Sequence, residues 1–174
     1  MKEEFDIDDV WVPHEIHPET PAEGRPITEL FSQWDVDHVL TVCRQRGDPY
    51  GIRFGERPWL SNSRLALEAA EFARVKGCYQ PLHNALFKAY FSDGEDIGDM
   101  ATLLKLASNN GLSANELETA LDEGRYSIQV TKGSEEAKKL GVTAVPSFFI
   151  EDLPVITGAV HEDTFRKALH SVAK

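Results

Sequence analysis

The chain has 174 residues, with 18 lysines and arginines against 29 aspartates and glutamates, giving a formal net charge of −11. At 41% hydrophobic and 27% charged residues it reads as a globular protein, long enough to bury about two-thirds of its unfolded surface. The acidic balance without a basic patch argues against nucleic-acid or membrane partners. No apolar run approaches the ~20 residues of a membrane span, and the acidic start MKEEFDIDDVW is unlike a secretory signal, so a cytoplasmic location is expected.

Residues 9–16, DVWVPHEI, alternate apolar and polar and predict a short strand, with Pro13 favouring an edge. HPETPAEGRPI follows as an exit loop. Asp35 can then cap a helix that places Val36, Val39, Leu40 and Cys43 on a buried stripe, with Gly47 just past its end. The stretch Asn62 to Lys76 puts Leu65, Ala66, Ala69, Phe72 and Ala73 on one face and stops at Gly77. From Tyr79 to Phe91, Leu82, Leu86 and Tyr90 recur every four residues. Asp99 can cap the next helix, bearing Leu103, Leu104 and Ala107. LSANEL at 112–117 is a full start signature, with Ser113 and Glu116 as a capping box and Leu112 and Leu117 stapled across it. A last inner helix runs from about Ser127 to Leu140. Strands return only at 147–150 and 154–157, read as a hairpin, before a terminal helix with Phe165, Ala168, Leu169 and Val172. A helical block between one strand and a hairpin indicates an α+β domain interrupted by a helical subdomain.

Few residues carry chemistry on their own. Cys43 and Cys78 form no CxxC, so a structural disulfide or zinc site is not expected; each reads as a packing or surface thiol. His14, His17, His83, His161 and His170 lack metal-ligand spacing, and the acidic run Asp93-Gly94-Glu95-Asp96 lacks the calcium-loop pattern and reads as a solvated turn. No metal is expected. Asn62-Ser63 reads most simply as a helix cap.

The segment GVTAVPSFFI at 141–150, the hairpin, then GAVHEDTF and a terminal helix resemble the C-terminal half of a thioredoxin fold. With LSNSRLALEAAEFARVKG, HNALFKAYFSDGEDIGD, GLSANELETAL and the early HEIHPETPAEG, the chain is similar over about residues 10–172 to the DsbA-like family, in its FrnE-type and 2-hydroxychromene-2-carboxylate isomerase-related branch. The resemblance implies a thioredoxin-like α/β fold of the DsbA type in one domain, 1–174. Its thioredoxin-like part would be 9–18 and 141–174, and the inserted helical subdomain 26–140.

In that family a strand and a helix bearing CxxC open the fold, or a serine in the glutathione-dependent isomerases. Only nine residues precede Val10, whereas a βαβ unit needs about 30, so the thioredoxin-like part is expected to be N-terminally incomplete, with no catalytic residue and no redox activity by itself. The resemblance further implies a cis Val145–Pro146 bond in a loop that binds a thiol- or disulfide-bearing peptide. Under a glutathione-binding isomerase or transferase alternative, Val145, Pro146, Asn62 and Ser63 would border the ligand; otherwise no cofactor is expected. A non-enzymatic peptide-binding or degenerate relative is the third possibility. Unpaired sheet edges around the absent strand predict a homodimer.

Overall fold

A computed structural model of the protein describes residues 1–56 and 58–173. The chain divides into two compact units, one formed by residues 17–132 and the other by 1–16 with 133–174.

The 17–132 unit opens with a two-residue strand, β1 (Arg25–Pro26), and a 3-10 turn at Ile27–Glu29. Helix α1 (Gln33–Gly47) and strand β2 (Trp59–Leu60) follow, and β1 pairs antiparallel with β2, Arg25 opposite Leu60. Four further helices make its centre: α2 (Arg64–Val75), α3 (Tyr79–Phe91), α4 (Met100–Asn109) and α5 (Ala114–Asp122). Helix α2 packs on α3, α4 and α5, and α4 packs on α3 and α5.

Helix spacing explains why these four close on one another. Ala66, Ala69, Phe72 and Ala73 of α2, Leu82, Leu86 and Ala89 of α3, Leu103 and Ala107 of α4, and Leu117 and Ala120 of α5 form a single buried cluster. Alanines on α2 let its neighbours approach closely, and the leucines fill the space between. Fully burying each leucine contributes roughly 1.5–3 kcal/mol. The ends are capped: Asp99 accepts the Thr102 N–H at 2.8 Å, and Ser113 accepts the Glu116 N–H at 3.3 Å. The capping box at Ser113 is half formed, because the Glu116 carboxylate bonds Lys76 Nζ at 2.5 Å instead of reaching back. Leu112 and Leu117 are both buried, as the staple requires.

Helix α1 departs from expectation. Its N-cap is Ser32, which accepts the Asp35 N–H, and Gly47 is its last residue and its only fully buried one. Val36, Leu40 and Cys43 are half-buried and Val39 is exposed, so the stripe predicted to be core lies at the surface.

The second unit contains the later part of α6 (Ser127–Lys139), the hairpin β3 (Ser147–Phe148) and β4 (Ile156–Thr157), and α7 (Glu162–Val172). Ser147 pairs with Thr157 and Phe148 with Ile156. Phe148 meets Phe165 of α7 edge-on at 4.7 Å between ring centroids. His161 caps α7 through Nδ1, which accepts the Asp163 N–H.

Residues 9–16 are not a strand. Pro13 removes one donor, and the Glu15 N–H goes to Ser134 Oγ at 3.0 Å rather than to a neighbouring strand. The segment crosses α6 at Gly133, where a Cβ would stand 2.3 Å from Pro13 O. Ahead of it, Arg166 holds Glu4 with two hydrogen bonds, 3.0 and 3.2 Å, and Phe5 packs edge-on against His170. That guanidinium holds the exposed Glu4 carboxyl below its ordinary range. The first residues are therefore tied to α6 and α7 by side chains, not by a sheet.

Candidate functional site

The segment from Leu140 to Phe149 is built by a helix stop and a hairpin start. Gly141, at φ 72°, ends α6 in the left-handed conformation that glycine adopts without a Cβ clash, and the Val142 N–H returns to Ala137 O at 2.9 Å. Beyond it the Val145–Pro146 peptide is cis. Ser147 Oγ donates to Ala144 O at 2.7 Å across the turn, and the Gly158 N–H donates to Pro146 O at 2.7 Å, continuing the ladder past Thr157. Val145 is left out of that ladder. Its backbone takes no hydrogen bond among the described residues, and its side chain is exposed. Phe149, Val155 and Val160 of the same unit are exposed as well.

Asn62 and Ser63 belong to the other unit and have a visible structural task. Asn62 Oδ1 accepts the Arg64 N–H at 2.9 Å at the start of α2, while its Nδ2 donates to Thr20 O at 2.6 Å. Ser63 occupies the cap position, yet its side chain makes no cap bond. The cap is thus Asn62, and both ends of its amide are used within the unit.

A polar cluster that sequence reading missed lies beside it. Arg64 donates through Nε to Glu68 Oε1 at 3.0 Å, and through one terminal nitrogen to Ser127 O, Ser127 Oγ and Thr131 Oγ1 at 2.8, 2.7 and 3.0 Å. Glu68 is buried, and its second oxygen has no partner among the described residues. The available signal was the i, i+4 spacing of Arg64 and Glu68 on a face otherwise read as apolar. The cluster fastens α2 to the first turns of α6.

Cys43 and Cys78 are both free and half-buried. Cys78 precedes α3, and its N–H is held by Ala73 O at 2.8 Å. His83, one turn further along α3, stacks between Tyr79 and Phe87 at 5.2 and 4.6 Å; burial holds its pKa below the ordinary histidine value, the Arg74 charge adding in the same direction and a bond to Asn84 opposing.

A hairpin entered through a cis X–Pro bond, closed by a C-terminal helix and joined to a helical unit, is the arrangement of a thioredoxin-like protein with a helical insertion. The family model of the DSBA-like thioredoxin domain matches residues 3–170, and the chain belongs to that family. It is 28% identical over 172 residues to the uncharacterized protein YwbO of Bacillus subtilis (strain 168), a match covering 97% of this chain and 84% of YwbO. Among solved structures it is similar to a candidate DsbA oxidoreductase, SCO1869 of Streptomyces coelicolor. The TM-score is 0.81 at 23% identity, over 89% of this chain and 70% of that one. A candidate protein disulfide isomerase of Nitrosomonas europaea gives a TM-score of 0.67 at 16% identity, over 81% of this chain and 74% of that one. The fold is the DsbA-type thioredoxin fold, mostly helical with little sheet.

Proposed function

We propose that the protein acts in thiol–disulfide chemistry as a substrate-holding element: the Val145–Ser147 edge receives the extended backbone of a thiol- or disulfide-bearing peptide, and residues 1–174 do not turn it over by themselves. The observation that carries this reading is the exposed Val145, whose backbone donor and acceptor are unpaired among the described residues at the point where the β3 ladder begins. An extended peptide adding to such an edge gains main-chain hydrogen bonds, with Phe149 and Val155 offering apolar contact to its side chains. Disulfide exchange also needs a thiolate that attacks a sulfur and a second thiol to resolve the mixed disulfide. Cys43 and Cys78 form no CxxC, and they lie on α1 and before α3 in the helical unit, whereas Val145 belongs to the other unit.

The test is reduction of insulin by the chain with dithiothreitol as electron donor. Turnover at the uncatalysed rate is expected, unchanged by Cys43→Ser or Cys78→Ser. Turnover above background that either substitution abolishes would overturn the reading. The proposed setting is the cytoplasm and the proposed assembly a homodimer, since the N-terminal segment leaves Val10, Val12 and Ile16 exposed away from the Val145 edge in sequence. Sedimentation at micromolar concentration should give twice the monomer mass; a monomer at every concentration would remove the dimer.

A further inference from the structure

The turn 93–96, which the sequence presents as solvated, forms one wall of a cleft in the helical unit. Pro58, Trp59, Ser61, Tyr90, Gly94, Glu95 and Asp96 line a space of about 100 Å³. Its walls are held firmly. The Gly55 N–H donates to Phe91 O at 2.9 Å, and a Cβ at Gly55 would come within 2.3 Å of Ser92 O, so the 53–56 segment lies directly against the end of α3. The Trp59 indole N–H donates to Glu23 O at 3.1 Å, and the Glu95 N–H donates to Ala89 O at 2.9 Å.

The polar groups of this cleft are unevenly satisfied. Both Glu95 oxygens already hold Lys105 Nζ at 3.1 Å. Asp96 Oδ1 accepts the Gly98 N–H at 2.9 Å, while its other oxygen has no partner among the described residues. Ser61 is only 7% exposed, and its hydroxyl makes no hydrogen bond among the described residues. A carboxylate oxygen and a hydroxyl left open beside an indole and a phenol ring are suited to a cation that carries N–H donors. The carboxylate and hydroxyl accept its hydrogen bonds, and the negative ring faces attract its charge. An anion would meet Glu95 and Asp96, and a purely apolar group would leave both open groups unpaired.

We propose that this cleft binds a small organic cation, an alkylammonium or guanidinium head, with Asp96 as its charged partner, Ser61 as a hydrogen-bond acceptor, and Trp59 and Tyr90 as its aromatic walls. The size of the space admits one such head group and little more of its bearer. The head can belong to a basic side chain of a peptide or to a free small cation, and the probes separate the two.

The test is titration of the ¹⁵N-labelled full chain with N-acetylarginine methylamide, with methylguanidinium and, as an uncharged isostere, with N-acetylcitrulline methylamide, reading the Trp59 indole and the Gly94 and Gly98 amides. Saturable shifts with the charged probes and none with citrulline are expected. Tighter binding of the peptide-like probe assigns a peptide side chain, and tighter binding of methylguanidinium a free small guanidinium compound. Asp96→Asn keeps the carbonyl oxygen that accepts the Gly98 N–H and removes only the charge, so it should preserve the spectrum and weaken binding about tenfold or more. Absence of saturation with both charged probes, equal binding of citrulline, or unchanged affinity in a folded Asp96→Asn protein would overturn the proposal.

Discussion

The two units of this protein solve the problem of burial in opposite ways. In the 17–132 unit, Phe72, Ala73, Leu82, Leu103, Leu117 and Ala120 are all at 2% exposure or less, and helices α2 to α5 enclose them. In the unit of 1–16 and 133–174, Ala137 is the one buried apolar residue among those described, and α7 buries none, although Phe165, Leu169 and Val172 are partly covered. The insertion therefore carries the core, while the thioredoxin-like part presents apolar surface and an unpaired backbone edge. If the Val145 edge holds a peptide as proposed, stability and peptide recognition are separated along this chain: substitutions in the α2–α5 core should be costly without touching peptide binding, and those in the hairpin the reverse.

The strongest challenge to that contrast is a pair of truncations. Leu117→Ala removes a fully buried side chain at the α5 centre and should destabilise by about 2–5 kcal/mol, whereas Phe149→Ala, half-exposed, should cost under about 1 kcal/mol. Urea unfolding followed by circular dichroism measures both, and equal costs would show that the hairpin unit hides a core of its own. A comparable loss is expected from Arg64→Ala. It strips the partner from the buried Glu68 and cuts the tie to Ser127 and Thr131, and breaking such a pair costs about 3–5 kcal/mol. Arg64→Lys should recover only part of it, because an ammonium cannot reach Glu68 and both hydroxyls at once.

A smaller effect sharpens the same comparison through pH. Burial lowers the folded-state pKa of His83, so the unfolded chain binds the proton more readily. Its contribution to stability is fully present above the unfolded value of about 6.5 and falls as pH drops from there to the folded value. His83→Gln should flatten the stability profile in that window; an unchanged slope would place its origin elsewhere.

The helical unit was legible because its signals are local. Asp99, Ser113 and the leucine and alanine spacing of α2 to α5 specify caps and faces within one or two turns, without reference to distant chain. What depended on tertiary partners was not. The alternation at 9–16 reads as a strand, but Pro13 and the Ser134 hydroxyl give the segment a helix to cross instead of a sheet. Likewise the stripe of α1 is at most half-buried, and the β1–β2 pair is only two residues deep, too short for any periodicity. Of the proposed site residues, Val145 and Pro146 are named by family resemblance alone, while no pattern distinguished Asn62 from Ser63 as the capping side chain. The cleft at Trp59 and Asp96 is assembled from three separated segments, which no local motif records.

The central claim, that the hairpin unit holds substrate at the Val145 edge while the helical unit supplies stability, is tested most directly by mapping a disulfide-bearing peptide on the ¹⁵N-labelled chain. The account predicts shifts confined to the amides of Ala144, Val145 and Ser147 and to β4, with α2 to α5 unmoved. Binding that maps to the helices and leaves Val145 and Ser147 unchanged would contradict it.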